Sequence, residues 1–366
     1  MGEKLLNELY GLRKKIMLMP NSIKRDYLLL DYSHLYKYLE SLNINVTDDL
    51  LDFDNIDRIN KITEDGIYLQ IGEFILNNNF LYKRINEILK KYHQNNFYAE
   101  NSLSTKINQK DIAVVINEFF KSLGSDIYEL YRRLLKENFV GYGISLDADA
   151  LTFHRMFDKL SNVMMCCDGK NLLDYNAFVH EIGHVYQFYI QRNGNYLSDI
   201  HYGTEITSRL FEKLFRKYLF DNYLYPKQTI DAINSYHYQN INMYGVCSLI
   251  CEIIKSGNYI IDETMVKTKL QDEELKRRLM DRCGFVYDYI LDLDYSNFLY
   301  IVGDIISSNF YKEINMNKEI GFKRLNDYLV NLGNLSLIDS FKSYGNIDYA
   351  KEYINNDLEK VLRKVK

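Results

Sequence analysis

The feature that most constrains this chain is an H-E-x-x-H motif inside an apolar, aromatic-rich run. In a helix of about 3.6 residues per turn, His180 and His184 lie one turn apart on the same face, so both imidazoles can reach one metal ion. Glu181 is offset by one residue, which places its carboxylate beside such an ion rather than on it. There it can accept a proton from water and deliver one to a leaving amine. The motif therefore predicts a metal-binding helix.

The surroundings of the motif favour a functional helix over a chance pairing of histidines. The chain has only seven histidines, so a random match to the pattern has a probability of about one in a hundred. Apolar residues continue from Leu172 to Ile190, as a buried helix requires. Gly194 follows in a polar stretch and can adopt the left-handed conformation that ends helices.

Composition bounds the class of protein. A chain of 366 residues, 47% of them hydrophobic, can bury a large core in one to three domains. Two prolines suit a mostly helical protein, because proline interrupts helix interiors. The net charge is -5 and the positive residues are scattered, which argues against nucleic acid or an anionic membrane surface as partner. Abundant Tyr, Asn, Ile and Lys fit an AT-rich bacterial genome.

Targeting signals and cysteine usage both favour the cytoplasm. No run approaches the roughly 20 apolar residues of a membrane span, and the first residues alternate like an amphipathic helix rather than a signal peptide. Five cysteines without a C-x-x-C pair favour reduced thiols. Cys247 and Cys251 could share a metal ion, but no second ligand pair accompanies them, so buried packing is the favoured interpretation.

Hydrophobic periodicity predicts helices over most of the chain, and a change of period predicts a small sheet between 139 and 167. The predicted helical ranges are 3–18, 23–42, two within 55–91, 111–137 with a break at Gly124, 172–190, one carrying Glu205, then 228–255, 262–283, 285–309, 322–332 and 348 to the C-terminus. We expect a mainly α, multi-helix fold with a small β-sheet beside the metal helix and a substrate cleft. Residues 1–138 would form an N-terminal helical region and 139–366 a catalytic region, or both would form one continuous helical domain.

The last predicted strand before the metal helix is a candidate for substrate binding. An exposed edge strand can pair with an extended peptide backbone without reading its side chains. An ordinary structural strand is the alternative. The residues predicted to contact substrate are Asn162, Val163, Met164 and Met165.

Glu205 is a candidate third ligand. It follows His180 by 25 residues, which is enough for a helix, a short loop and a returning helix, and it leaves a fourth metal position for water. His201, one turn earlier, competes with it. Glu212 lies seven residues beyond Glu205 on the same face and can accept the second ring N–H of a metal-bound histidine. The alternative for Glu212 is a solvated charge in the Glu-Lys-x-x-Arg-Lys run that it begins.

Tyr300 is a candidate for stabilising an oxyanion. It lies in a segment with two tyrosines near a glycine, and a hydroxyl aimed at the metal would hydrogen-bond to the oxyanion of a tetrahedral intermediate. In a chain with 33 tyrosines, core packing is the alternative.

Together these motifs resemble the thimet oligopeptidase and oligoendopeptidase F family of zinc peptidases. Residues 180–184 are similar to its H-E-x-G-H, and residues 205–212 to its E-x-x-S-x-x-x-E. The segment 300–303 is similar to the Y-A-T-G of the oligoendopeptidase F branch, and the strand at 162–167 lies where the family has its substrate-pairing strand. The resemblance covers about residues 139–310.

The resemblance implies a short, zincin-like metallopeptidase of the gluzincin type that hydrolyses peptide bonds in oligopeptides. It would bind one zinc ion per chain through three side chains, with one carboxylate as general base, one tyrosine at the oxyanion and two supporting side chains. The residues that match these roles are His180, His184 and Glu205 as ligands, Glu181 as base, Tyr300 at the oxyanion, and Glu212 and Ser208 as support.

Two departures from the family pattern leave other functions open. The histidine that family members carry three residues after the second ligand is Gln187 here, and the histidine about three turns before the tyrosine has no counterpart, since Asp288 occupies that neighbourhood. A peptide-binding scaffold without turnover is therefore an alternative. An exopeptidase on a similar zinc core is another, and it would need a charged group to bind the terminus of the peptide. The intact Glu181 argues against the scaffold.

Overall fold

The computed structural model shows a mainly α-helical fold with one small β-sheet, as the sequence predicts. Parts of the predicted helices at 55–91, 262–283 and 285–309 lie outside the described residues, as do His201 and Asp288. The structure describes residues 2–20, 23–46, 79–95, 97, 107–142, 150–153, 160–166, 171–191, 203–256, 263–269, 273, 276–277 and 296–364.

The described helices follow the predicted ranges closely. They are α1 (Gly2–Met17), α2 (Ile23–Ser41), α3 (Asn79–His93), α4 (Gln109–Leu123), α5 (Ser125–Lys136), α6 (Leu172–Gln191), α7 (Glu205–Asp221), α8 (Pro226–Ser256), α9 (Glu263–Lys269), α10 (Ser296–Met316), α11 (Lys318–Asn331), α12 (Leu337–Tyr344) and α13 (Ile347–Lys364), with a 3-10 turn at Leu332–Asn334. Helix α12 was not predicted. None of the described helices combines the length and the apolar character that crossing a bilayer requires.

The predicted break at Gly124 is confirmed and has a local cause. Gly124 has φ 139, a backbone conformation that residues with a Cβ rarely adopt, so α4 ends there and α5 starts at the next residue. At the other end of α4 the side chain of Asn108 accepts a hydrogen bond from the backbone N–H of Lys110, which caps the helix.

The sheet has the strand order β1-β3-β2, with β1 at Val140–Tyr142, β2 at Ala150–Phe153 and β3 at Asn162–Met165. Strand β3 lies in the centre, parallel to β1 and antiparallel to β2, and its four residues are buried. Since both of its edges are already hydrogen-bonded, β3 has no edge for a substrate, and the edge-strand prediction is wrong. This correction applies to Asn162, Val163, Met164 and Met165.

Two hydrophobic clusters account for most of the described core. The larger one joins α3–α13 with the sheet and includes Cys247 and Cys251, which are buried as the packing interpretation predicts. The smaller one joins α1 and α2 to one face of the sheet through Phe153 and Met164. Because the larger cluster contains residues on both sides of position 138, core contacts cross the predicted domain boundary. The division into two regions stays a prediction.

Two glycines let three helices meet backbone to backbone. A Cβ on Gly183 in α6 would lie 2.5 Å from the Cα of Ser208 in α7, and a Cβ on Gly303 in α10 would lie 2.6 Å from the Cβ of Glu205. Such distances are too short for any side chain. Helix α7 is therefore held between α6 and α10, and its first turn faces the H-E-x-x-H motif.

Candidate metal centre

Three predicted ligands converge on one point. The Nε2 atoms of His180 and His184 are 3.1 Å apart, and Glu205 places one carboxylate oxygen 3.2 Å from the first and the other 3.7 Å from the second. Donors around a tetrahedral zinc ion, at about 2.0–2.1 Å from the metal, lie about 3.3 Å from one another. The spacing and the chemistry of the donor set therefore fit a zinc ion.

The start of α7 is fixed by a side chain from α6. Gln187 is fully buried, and its amide donates to the carbonyl of Gly203 at 2.8 Å and accepts from the backbone N–H of Thr207 at 3.4 Å. Gln187, which stands where the family that the motifs resemble has a histidine, thus connects α6 to the start of α7. Glu205 occupies the first position of α7, where the helix dipole favours a negative charge.

Glu212 holds the first histidine from behind. One of its oxygens lies 2.6 Å from Nδ1 of His180, and the other accepts from Arg209 at 3.4 Å and from Arg216 at 3.1 Å. A proton on Nδ1 shared with this carboxylate leaves the lone pair of Nε2 directed at the site. Glu212 is only 5% exposed, and Lys213 and Arg216 of the same run are buried too. The solvated-charge alternative is therefore wrong.

The electrostatics of the centre favour positive charge. Burial alone would raise the pKa of Glu205, but the imidazoles of His184 and His180 outweigh it and lower this pKa to about 2. Burial alone would lower the pKa of His180, but hydrogen bonds to Glu205 and Glu212 outweigh it and raise this pKa to about 10. Two carboxylates that stabilise a proton at this position also stabilise a metal cation there.

Glu181 is buried beside the three donors and has a partner that the sequence did not suggest. The hydroxyl of Thr152 in β2 donates to its Oε2 at 2.6 Å and also lies 3.1 Å from its backbone carbonyl. The two residues are 29 positions apart, and a threonine in a short strand carries no local signal of such a contact. The contact holds the carboxylate on the sheet side of α6.

Tyr300 and Ser208 both lie at the centre. The ring of Tyr300 on α10 is 6.3 Å from the ring of His180, and Ser208 Oγ is 3.0 Å from Glu205 Oε2. The charge of Glu205, followed by burial, raises the pKa of Tyr300, so its hydroxyl stays protonated and can act as a donor. The structure thus brings together the predicted ligands, base, tyrosine and supporting residues.

A network of buried charges behind the centre was missed. Lys213 donates to Asp304 at 3.0 Å and to the hydroxyls of Ser307 and Ser308. Asp304 in turn accepts from two tyrosine hydroxyls of α8, and its pKa falls to about 2 because Lys213 and Arg209 outweigh the effect of burial. The only sequence signal of this network is that Arg209, Lys213 and Arg216 share one face of a helix rich in apolar residues. Cations on a solvent-exposed helix face have the same spacing.

A cavity of about 360 Å³ lies away from the metal ligands, among residues of α7, α10 and α13. It contains Lys217, Lys312 and Lys360 and none of the ligands. Each of these lysines is paired with a carboxylate, so the cavity offers little net charge to a ligand.

Comparisons with known proteins place the fold. No family model and no curated protein matches the chain. A crystal structure of a candidate peptidase from Chlamydophila abortus matches with a TM-score of 0.56 at 13% identity, over 97% of this chain and 62% of that one. An X-ray structure of a candidate oligoendopeptidase F matches with a TM-score of 0.51 at 12% identity, over 97% and 66%. At these identities the likeness establishes the fold, and the chain spans less than two thirds of the length of these two structures.

Proposed function

We propose that this chain is a zinc-dependent metallopeptidase that hydrolyses peptide bonds in oligopeptides. The observation that carries the proposal is the spacing of 3.1 to 3.7 Å among the donor atoms of His180, His184 and Glu205. A buried carboxylate, Glu181, stands beside them and is free of the ligand set. The fold shared with peptidase structures is consistent with this chemistry.

The residues of the site divide the chemical work. Zinc, when bound by the three ligands, would act as a Lewis acid that polarises the scissile carbonyl and acidifies the attacking water. Glu181 accepts the proton of that water and passes it to the leaving amine, a role worth about 100- to 10,000-fold in rate. Thr152 donates to one oxygen of Glu181 and so keeps the other oxygen directed away from the sheet.

Tyr300 supplies the donor for the oxyanion. Its hydroxyl is protonated over the working pH range because the neighbouring Glu205 and burial both raise its pKa. A preorganised donor of this kind acts on charge that develops only in the transition state. Glu212 keeps His180 in one tautomer and orientation throughout.

We propose that the substrate backbone pairs with strand β2 rather than with β3. Within the described residues β2 pairs with β3 along one edge only. An extended peptide that pairs with the other edge would pass close to Glu181, since Thr152 of β2 contacts that carboxylate. Backbone pairing of this kind reads little of the side chains, which suits varied oligopeptides.

Endopeptidase action is favoured over the carboxypeptidase alternative. A carboxypeptidase needs a cation to hold the terminal carboxylate of its substrate. Among the described residues, the cations of α7 nearest the ligands are Arg209, Lys213 and Arg216, and each is already bound to a carboxylate of the protein. The scaffold alternative is disfavoured because a binding protein has no need of Glu181.

Metal content and hydrolysis test this proposal together. Purified wild type, His184→Ala and Glu205→Ala are assayed by elemental analysis and with end-blocked, internally quenched peptides. Wild type should carry about one zinc per chain and cleave blocked peptides, and both variants should lose metal and activity. Glu319→Ala, which removes an exposed glutamate from α11, should change neither.

Other outcomes identify the alternatives. Cleavage only of peptides with a free terminus would favour the exopeptidase. A zinc-bound wild type without turnover on any peptide would favour the scaffold. Full metal content in Glu205→Ala would exclude Glu205 as a ligand and point to His201.

A further inference from the structure

Helix α7 carries three buried cations, of which Arg209 is closest to the proposed chemistry. Arg209 is 3% exposed, Lys213 is fully buried and Arg216 is 1% exposed. Arginine and lysine are almost never buried unless they are paired. A carboxylate partner balances the charge of each of the three, but Arg209 differs from the other two in which residues it contacts.

One guanidinium contacts both sides of the metal centre. The Cζ atom of Arg209 lies 4.9 Å from the centroid of the Tyr300 ring, within the range of a cation–π contact. Its Nη1 donates to Glu212 at 3.4 Å, and Glu212 holds Nδ1 of His180. Its Nη2 donates to Asn240 of α8 at 3.3 Å. Arg209 therefore connects the proposed oxyanion donor to the support of a metal ligand.

Arg216 provides a natural comparison within the same helix. It donates to the same oxygen of Glu212 at 3.1 Å, and it lies over the ring of Tyr236, which Arg209 also contacts. Its remaining contacts run to Asn176 and Tyr353. Among the described residues, Tyr300 is in contact with Arg209 and not with Arg216.

We infer that Arg209 is a positioning residue that fixes the ring of Tyr300 relative to His180, an inference that rests on the proposed function. The planar guanidinium contacts the Tyr300 ring and binds Glu212 and Asn240 in one arrangement. A lysine keeps the charge but cannot reproduce this fork of donors. Because an oxyanion donor acts only within a narrow range of distances, a small displacement of Tyr300 lowers the rate without displacing the metal.

A double-mutant cycle tests the link between Arg209 and Tyr300. The variants are Arg209→Lys, Arg216→Lys, Tyr300→Phe and the two doubles that contain Tyr300→Phe, each assayed for kcat, KM and metal content on one blocked peptide. Arg209→Lys should lower kcat about 10- to 100-fold, change KM less than about threefold and retain zinc. Added to Tyr300→Phe, it should cost less than about threefold more, since the group it positions is already gone.

The matched variant should behave differently. The losses from Arg216→Lys and Tyr300→Phe should multiply, because the two residues act separately. A loss that multiplies for Arg209→Lys as well, or one that appears in KM or in metal content, would overturn the inference. If Arg209→Lys fails to fold, Arg209→Gln is used for the same cycle, with the folded fraction counted by titration with a tight-binding phosphinic peptide.

Failure of the inference can be told apart from failure of the proposed function. A wild type without zinc or hydrolysis contradicts the proposed function itself. A wild type that is active, with a slow Tyr300→Phe and losses that multiply for Arg209→Lys, contradicts the inference alone. A Tyr300→Phe variant as fast as wild type removes the role of Tyr300 and the inference with it.

Discussion

Helix α7 contributes to two buried groups of charged residues, one around Asp304 and one around His180. They differ in whether the hydrogen-bond donors and acceptors within the group pair with one another. In the group around Asp304, the ammonium of Lys213 donates to the Asp304 carbonyl and to two serine hydroxyls and pairs with the Asp304 carboxylate, and both oxygens of that carboxylate accept from tyrosines. In the group around His180, two imidazole Nε2 atoms face each other at 3.1 Å, where at most one proton can lie. In the Asp304 group, hydrogen-bond donors pair with acceptors of the protein. In the His180 group, the acceptors converge on one point.

This difference separates a structural role from a chemical one. Buried charges that satisfy one another are needed for stability because the loss of one partner leaves the other unpaired, whereas lone pairs that converge are suited to a cation from outside. Changes in the His180 group should therefore alter activity or metal affinity, and changes in the Asp304 group should alter the free energy of unfolding.

Glu181→Gln should give the largest effect, on activity alone. Glutamine is nearly the same size and can still accept from Thr152, but it cannot take up a proton, so kcat should fall about 100- to 10,000-fold. Zinc content and the midpoint of urea unfolding should match wild type. A variant that keeps more than about a tenth of wild-type kcat would show that another group acts as the base.

Asp304→Asn should give the next largest effect, on stability. The change leaves the ammonium of Lys213 buried without its carboxylate and should lower the free energy of unfolding by about 3–5 kcal/mol. Urea unfolding followed by circular dichroism measures it. The matched control is Glu129→Gln, which breaks an exposed pair with Arg132 and should cost less than about 1 kcal/mol. Equal losses in the two variants would contradict the role assigned to the Asp304 group.

Acid should reverse much of the stabilisation by Asp304. Its pKa is about 2 in the folded chain against 3.8 as the reference value, so the folded state binds this proton less tightly than the unfolded state. The contribution is therefore complete above the reference pKa and is lost as the pH falls through the folded pKa, an effect on the order of 2 kcal/mol. The gap in unfolding free energy between wild type and Asp304→Asn should narrow by this amount as the pH falls to about 2. A constant gap would exclude titration of Asp304.

Ser208→Ala should give the smallest effect, confined to metal affinity. Ser208 Oγ lies 3.0 Å from Glu205 Oε2 and so helps to orient a ligand, and its loss should weaken zinc binding about tenfold. Competition with a chelating dye measures this affinity. Ser122→Ala is the control, since Ser208 and Ser122 each donate to the carbonyl three residues earlier in the same helix, Glu205 and Phe119 respectively. A similar change of zinc affinity in both variants would rule out a specific role for Ser208.

The sequence predicted the local features of this fold well and its long-range arrangement less well. Gly124 marks the break between α4 and α5 because its backbone conformation is a local property. The position of β3 between β1 and β2 depends on a parallel pairing between distant residues, which local pattern does not encode. Helix α12 has only eight residues, too few for a clear apolar period.

The candidate site divides in the same way. His180, Glu181 and His184 share one helix with a spacing that carries its own meaning, and their proximity follows from helix geometry. The contact of Thr152 with Glu181 and that of Arg209 with Tyr300 join residues on different elements. The buried run from Glu212 to Arg216 was the hardest to interpret, since Glu212 also pairs with His180 of α6 and Lys213 pairs with Asp304 of α10, partners that helix α7 itself does not contain.

The glycine contacts of α7 limit how the site can move. Because Gly183 and Gly303 place the backbones of α6 and α10 directly against α7, the three helices cannot move closer together at these two positions. Under the proposed function, we expect motions that admit a peptide or release a product to arise mainly outside this three-helix unit. Changes in the surrounding chain would then alter the substrate preference of such an enzyme while the spacing of the donor atoms stays constant.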